Sequence, residues 1–287
     1  MRRLAAGLAG LGMLWAVAGC AGQGAATGAA AGAGSATGTT VAGAARAAPV
    51  KQRDAHLSGR QLNLAVYYLR TWRGRRYLAP EWHPVPYTRA VAAAAVGELL
   101  GGQPLFPGTR RPFPDGARLL GVSLEAGTAT VDLSRAALPG GTAGRWRLQA
   151  LVHTLAQFPG VRRVEVTCDG RAVAGPLTRD PRLPLAPIAL AGPAPGVQVK
   201  GDRLVVKGEA SVFEGTVGLR LRDDRGKVMA QSYATAAKGA PGRGPFSGAL
   251  SFTPPATSRA WTLDAFEVSP EDGEITYAVT VQVWVGR

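Results

Sequence analysis

From about residue 60 the apolar positions of this chain switch between two periods, and from about residue 188 only one of them remains. Leu62, Leu64, Val66 and Tyr68 alternate with polar or smaller residues, the period of a half-buried strand. After Thr88, placed to cap a helix, Ala92, Ala95, Val96, Leu99 and Leu100 form one helical stripe that runs out at Gly101-Gly102. The proline-rich stretch from Gln103 to Asp115 reads as a loop. Ala117 to Glu125 and Thr128 to Leu133 read as two strands turning at Ala126-Gly127. A second helix is predicted over Arg145 to Phe158, with Leu148, Leu151, Leu155 and Phe158 on one face and Pro159-Gly160 to end it. Val161 to Cys168 is a strand that Asp169-Gly170 turns into a short final one. Strand, helix, two strands, helix, strands is the order of a compact α+β domain with two helices on one face of a small sheet.

Pro176, Pro181, Pro184 and Pro187 mark a boundary over residues 176–187. Beyond it come Leu204 to Val212, Thr216 to Leu221, Val228 to Tyr233, Phe246 to Phe252, Trp261 to Val268 and Ile275 to Val285, all strand-like. Asp224-Arg225-Gly226 and Asp272-Gly273 punctuate them. The last run is the clearest, with Ile275, Tyr277, Val279, Val281, Val283 and Val285 at every second position. Such a series predicts an antiparallel β-sandwich over residues 188–287.

The other end of the chain follows a different pattern. Arg2 and Arg3 precede an apolar run from Leu4 to Val17. That run is too short for a spanning helix, which needs about 20 residues, and it has the layout of an export signal. It ends in Val17-Ala18-Gly19-Cys20, which resembles the lipobox of bacterial lipoproteins. The resemblance implies cleavage before Cys20, lipidation of its thiol, and a mature chain anchored to the extracytoplasmic face of the cell membrane. Residues 21–59 are dominated at first by Ala, Gly, Thr and Ser and lack the large side chains that offset ordering entropy. They read as a disordered tether with an r.m.s. reach of roughly 35 Å.

A length of 287 residues fits two domains at about 150 residues each. Once Cys20 is acylated, Cys168 is the remaining cysteine, so the cores must hold the fold without an intramolecular disulfide. The net charge of +14 is unevenly placed: residues 59–182 carry 17 basic and 8 acidic groups, whereas residues 183–287 carry 11 and 10. A basic first domain favours anionic partners such as acidic lipid head groups, wall polymers or an acidic protein face. The abundance of arginine over lysine is equally what compositional bias would produce. An exported chain does not meet nucleic acid.

Several stretches of the first domain together resemble the GerMN domain of sporulation and spore germination. They are Tyr67-Tyr68, Glu98-Leu99-Leu100-Gly101-Gly102, Thr130-Val131-Asp132-Leu133-Ser134, and Leu151 to Val161 with Val164, Val166 and Asp169-Gly170. The likeness covers residues 60–175 and departs from the pattern at Gly102-Gln103-Pro104, where Gly-Pro is usual. Gly208 to Val217, and Phe266-Glu267-Val268-Ser269 with Asp272-Gly273, look like the immunoglobulin-like domain that accompanies it. The resemblance implies an envelope lipoprotein with an interaction or assembly task in sporulation or germination, from families not established as enzymes. An envelope lipoprotein that supports a membrane sensor kinase, as some with GerMN-like domains do, or cell-wall maintenance outside sporulation is the alternative.

The residues themselves point to little chemistry. His56, His83 and His153 are scattered, with His153 off the apolar stripe of its helix and expected at the surface or partly covered. Nothing in the spacing suggests a metal set, a nucleophile elbow, a phosphate loop or another cofactor site. Asp132 and Ser134 are expected to bond to the following loop. A peptidoglycan hydrolase, the reading from another class, would need paired carboxylates, and Glu81, Glu98 and Asp115 show no pairing in their spacing. The candidate interaction residues are Arg70, Arg73, Arg75 and Arg76, as a contact to an anionic surface, and Glu214, whose carboxylate could fix a turn between two strands.

Overall fold

The computed structural model describes residues 60–137 and 141–286. Cys20, the export signal and the tether lie outside the described residues.

The first domain opens with a long hairpin, β1 (Gln61–Trp72) and β2 (Arg75–Pro86), paired residue for residue. Arg73 and Gly74 form its two-residue turn, both with positive φ (45° and 77°), the geometry that matches strand twist in a hairpin. β2 departs from the expectation, which had no strand there. Pro80, Pro84 and Pro86 argue against a central strand, but β2 lies at the edge of a three-stranded sheet, where a missing N–H is tolerated. The helix α1 (Val91–Gly101) buries Ala92, Ala95, Val96, Leu99 and Leu100, the stripe read from the sequence. Its N-cap is Ala90, and Thr88 acts two residues earlier: its hydroxyl accepts the Ala90 N–H at 3.0 Å.

A short β3 (Thr109–Arg110) pairs with β1, followed by β4 (Leu119–Glu125) and β5 (Thr128–Leu133). The helix α2 (Gly141–Leu155) connects β5 to β6 (Arg163–Cys168), and those two strands run parallel, as a helical crossover permits. β7 (Arg171–Leu177) completes a second sheet in the order β4-β5-β6-β7. The strands therefore divide into two sheets, with both helices packed against them. Because α2 touches β1, β2, α1 and β6, it is covered on several sides, and Gln149, His153 and Thr154 are buried with the apolar residues.

The second domain comprises β8 (Ile188–Gly192), β9 (Gln198–Lys200), β10 (Arg203–Ala210), β11 (Thr216–Arg222), β12 (Val228–Thr235), β13 (Gly244–Ser251), β14 (Arg259–Val268) and β15 (Ile275–Gly286). They form two facing layers, β13-β10-β8 and β12-β11-β14-β15-β9. Tyr277, Val279, Val281, Val283 and Val285 of β15 all point into the core between them. Every contact within the sheets is antiparallel except β15 with β9. The short β8 and β9 were not legible as strands.

The two domains meet along a shared core. Tyr77, Ala79 and Phe106 of the first pack in the same cluster as Ile188, Leu190 and Tyr277 of the second. The segment between them follows β2 closely: Leu78 donates to the Pro184 carbonyl at 3.0 Å and its own carbonyl accepts the Ala186 N–H at 2.8 Å. Leu183 and Ala186 are buried there. All the described residues fall within one compact unit.

Candidate functional site

The four arginines singled out near the β1–β2 turn have different fates. Arg70 is buried and is not part of an outer surface, which corrects that expectation. Its guanidinium crosses the seam between the domains. Nη1 donates to the Pro107 carbonyl and Nη2 to the Ala278 carbonyl on β15, both at 2.9 Å, while the group sits 5.7 Å from the Tyr277 ring centroid. A buried guanidinium needs such partners, and here each domain supplies one. Two residues on, the Trp72 indole N–H donates to the Thr276 carbonyl at 2.9 Å. Arg73, at the turn, faces Glu274 at 3.5 Å. The end of β1 thus engages β15 at Ala278 and Thr276, and the turn after it reaches Glu274, just before β15 begins. Arg75 is exposed, and Arg76 is half-buried with its guanidinium 5.5 Å from the Trp146 ring centroid.

Behind the seam lies a polar group that the sequence did not assemble. Glu81 and His83, on β2, and Glu98, on α1, come together with His83 between the two carboxylates: Nδ1 is 2.8 Å from Glu98 Oε1 and Nε2 is 3.4 Å from Glu81 Oε2. Glu81 is almost fully buried, and the Leu105 N–H donates to it. Residues two apart on a strand share a face, so pairing of Glu81 with His83 follows once β2 is known to be a strand. Tyr68 donates to the Glu98 carbonyl at 3.1 Å, and burial raises its phenol well above the usual range. The imidazole and the Glu81 carboxylate of this array are nearly inaccessible while Glu98 is partly exposed, and the array orders β2 against α1.

His153 is buried on α2, against the expectation of a surface or partly covered residue, because the helix is enclosed on several sides. Its ring lies 5.0 Å from that of Tyr67. Burial lowers its pKa to about 4, and the positive charges of Arg179 and Arg243 act in the same direction. Arg243 belongs to the second domain and donates to the Ala186 carbonyl, so the same charge serves both domains.

Asp132 accepts from the Thr167 hydroxyl at 2.7 Å and the Gly170 N–H at 3.0 Å, holding the β6–β7 turn, and these bonds keep its carboxyl below the usual range. Ser134 accepts the Arg118 N–H at 3.0 Å, toward the preceding strand region. Glu214 is exposed at φ 51°, in a turn that backbone bonds close, and its carboxylate has no hydrogen-bond partner among the described residues. The turn-fixing carboxylate is Glu267, which accepts the Phe213 N–H at 3.1 Å and the Thr276 hydroxyl at 3.0 Å. Asp272 likewise accepts the Glu274 N–H at 3.0 Å. Cys168 is half-buried with a free thiol. Among the described residues no group of three or more His, Cys, Asp or Glu side chains could hold a metal ion, and no helix is long and apolar enough to cross a membrane.

The fold defines a two-domain protein: an α+β domain fused through a buried seam to an immunoglobulin-like sandwich. Comparison with protein families gives both halves a family. Residues 65–174 match the family described as sporulation and spore germination, and residues 188–274 match the immunoglobulin-like domain of bacterial spore germination. The chain therefore carries a GerMN domain followed by a germination-type immunoglobulin-like domain. Both descriptions name a process, and neither names a reaction.

Among solved structures, the tandem GerMN domains of the sporulation protein GerM from Bacillus subtilis are 21% identical, with a TM-score of 0.38, covering 43% of this chain and 48% of that one. This chain thus spans about half the length of that structure. The first GerMN domain of the same protein is 21% identical, with a TM-score of 0.35, over 42% of this chain and 96% of that one. A putative lipoprotein from Clostridium perfringens is 17% identical, with a TM-score of 0.29, over 40% of this chain and 80% of that one. No curated protein matches.

Proposed function

We propose that this chain is an envelope lipoprotein, acylated at Cys20 and held on the extracytoplasmic face of the cell membrane. Its two domains act together as a non-catalytic interaction and assembly module in sporulation or spore germination. The observation that carries the reading is the seam. Arg70 and Trp72 tie the first domain to Ala278 and Thr276 of β15, Arg73 faces Glu274 just before it, and a common apolar core lies beneath them. Two domains joined in this way present their surfaces in a fixed relation, as an assembly component must. The family descriptions supply the process, and the Val17-Ala18-Gly19-Cys20 ending supplies the anchor. The charge excess of residues 59–182 favours envelope partners with acidic faces, or an anionic wall or lipid surface.

Mass spectrometry of the processed N-terminus tests the anchor. The expected species begins at Cys20 and carries a diacylglyceryl thioether, and a free thiol on an uncut chain would overturn it. Proximity labelling from the tethered protein in sporulating cells tests the assembly role. Reproducible labelling of envelope proteins is the expected result, and labelling indistinguishable from that of an unrelated lipoprotein would remove it.

A further inference from the structure

β7 is an outer strand of the four-stranded sheet, with its far edge unpaired, and α2 makes its main contacts with β1 and α1. The space left between α2 and β7 is a groove of about 670 Å³. Its floor is apolar: Leu148 from the helix, Val173 and Leu177 from the strand, with Val173 half exposed. Gly144 adds no side chain on the helix wall. Its rim is basic, with Arg135, Arg145 and Arg171 around the opening. Arg145 is engaged by Asp180, which also lines the groove and whose carboxyl that guanidinium holds below its usual range. Arg135 and Arg171 meet no carboxylate among the described residues, so the rim keeps an excess of two positive charges over Asp180.

A groove with an apolar floor, a basic rim and one wall made of an unpaired strand edge fits one kind of occupant. We infer that it receives an extended acidic segment of a partner protein, which adds to the outer edge of β7. The unpaired backbone of β7 supplies strand addition, the floor takes an apolar anchor, and Arg135 and Arg171 select acidic side chains beside it. At roughly 3.3 Å per residue, the seven residues of β7 lie alongside a segment of about five to seven residues. Pro176 has no N–H to offer, so the pairing falls on the Arg171–Gly175 part of the strand. Charge complementarity argues for an acidic chain over a neutral one, and the apolar floor argues for a peptide over a wall polymer or a bilayer, neither of which presents single apolar side chains. This inference rests on the reading of the protein as an interaction module and names the surface and the kind of partner.

The test measures binding to the full-length protein at low salt by fluorescence anisotropy. The probes are the labelled peptides Glu-Val-Glu-Val-Glu-Val and Lys-Val-Lys-Val-Lys-Val, with phosphatidylglycerol vesicles followed by co-sedimentation. The acidic peptide is expected to bind and the basic one not. Arg135→Glu with Arg171→Glu is expected to weaken binding at least tenfold. Val173→Asp should do the same through loss of apolar floor, whereas Arg73→Glu with Arg75→Glu, a charge change equal to that of the double groove variant but on the exposed hairpin, should leave binding within about twofold. These positions are all exposed, and circular dichroism checks that each variant keeps its fold. Absence of acidic-peptide binding, equal binding of the basic peptide, or vesicle binding alone lost in the Arg135/Arg171 variant would each overturn the groove assignment. Peptide binding that survives the groove substitutions but is lost on Arg73→Glu with Arg75→Glu would also overturn it, while leaving the interaction-module reading in place.

Discussion

A single imidazole shows how far burial outweighs residue type here. His153 has the polarity of a surface residue, yet α2 carries it into the interior, where the ring lies tilted against that of Tyr67. Its folded pKa of about 4 lies below the unfolded value near 6.5, so the unfolded chain takes up the proton first as pH falls. The resulting stability is fully present above pH 6.5 and is lost progressively down to about pH 4. A shift of this size corresponds to about 3 kcal/mol between those limits. Urea denaturation at a series of pH values should show that decline, and His153→Leu should flatten it. A native profile that is level between pH 6.5 and 4, or one that the substitution leaves unchanged, would refute the assignment. Asp132, Asp180 and Asp272, whose carboxyls hydrogen bonds hold low, also lose stability on acidification, but at pH values below the histidine window.

At the scale of elements, the β1–β2 hairpin decides whether the domains move apart. Its tip reaches β15 through the Trp72 indole and the residue before β15, Glu274, through the Arg73 guanidinium, while the Trp72 ring packs 5.8 Å from that of Tyr277. Trp72→Ala removes a hydrogen bond and an aromatic contact, together worth about 2 kcal/mol. Hydrogen exchange of the amides around Thr276 and Ala278 should then quicken by roughly thirtyfold, while exchange in β5 and β6 stays as it was. Unchanged exchange along β15 would mean that the hairpin tip does not hold it.

β2 also shows where pattern reading stops. The stripe of α1, the β5 alternation and the turns Ala126-Gly127 and Asp169-Gly170 were legible because a local period or turn residue encodes each. β2 was not, since its prolines and its Glu81 and His83 mimic a loop; pairing with β1 along its whole length makes it a strand, and its edge position and the contacts of those two side chains accommodate such residues. The start of α2 at Gly141 was missed for a related reason: three of its first four residues are Gly or Ala, which carry almost no periodic signal.

At the scale of the whole molecule, the seam makes two recognisable domains into one folding unit. Their cores run together through Tyr77, Ala79 and Phe106, and the intervening segment is hydrogen-bonded to Leu78. Calorimetry of the full chain should therefore record a single cooperative unfolding transition, with calorimetric and van't Hoff enthalpies that agree. Two resolved transitions would show that the seam is weaker than its contacts imply. The same enclosure gives the candidate surfaces their ranking: Arg70 is committed to holding the domains together, which leaves the hairpin charges and the groove beside β7 for partners.

By itself the sequence determined the two domain types, the order of most of their strands and helices, and the turns that join them, because each is written in neighbours a few residues apart. It also carried the Cys20 motif and the basic bias of the first domain. Only the tertiary structure decided which polar groups are buried, that Arg70 spans 208 positions to reach Ala278, and that the outer edge of β7 is left unpaired. Those outcomes depend on which surfaces meet, and no local period records the meeting of segments so far apart in the chain.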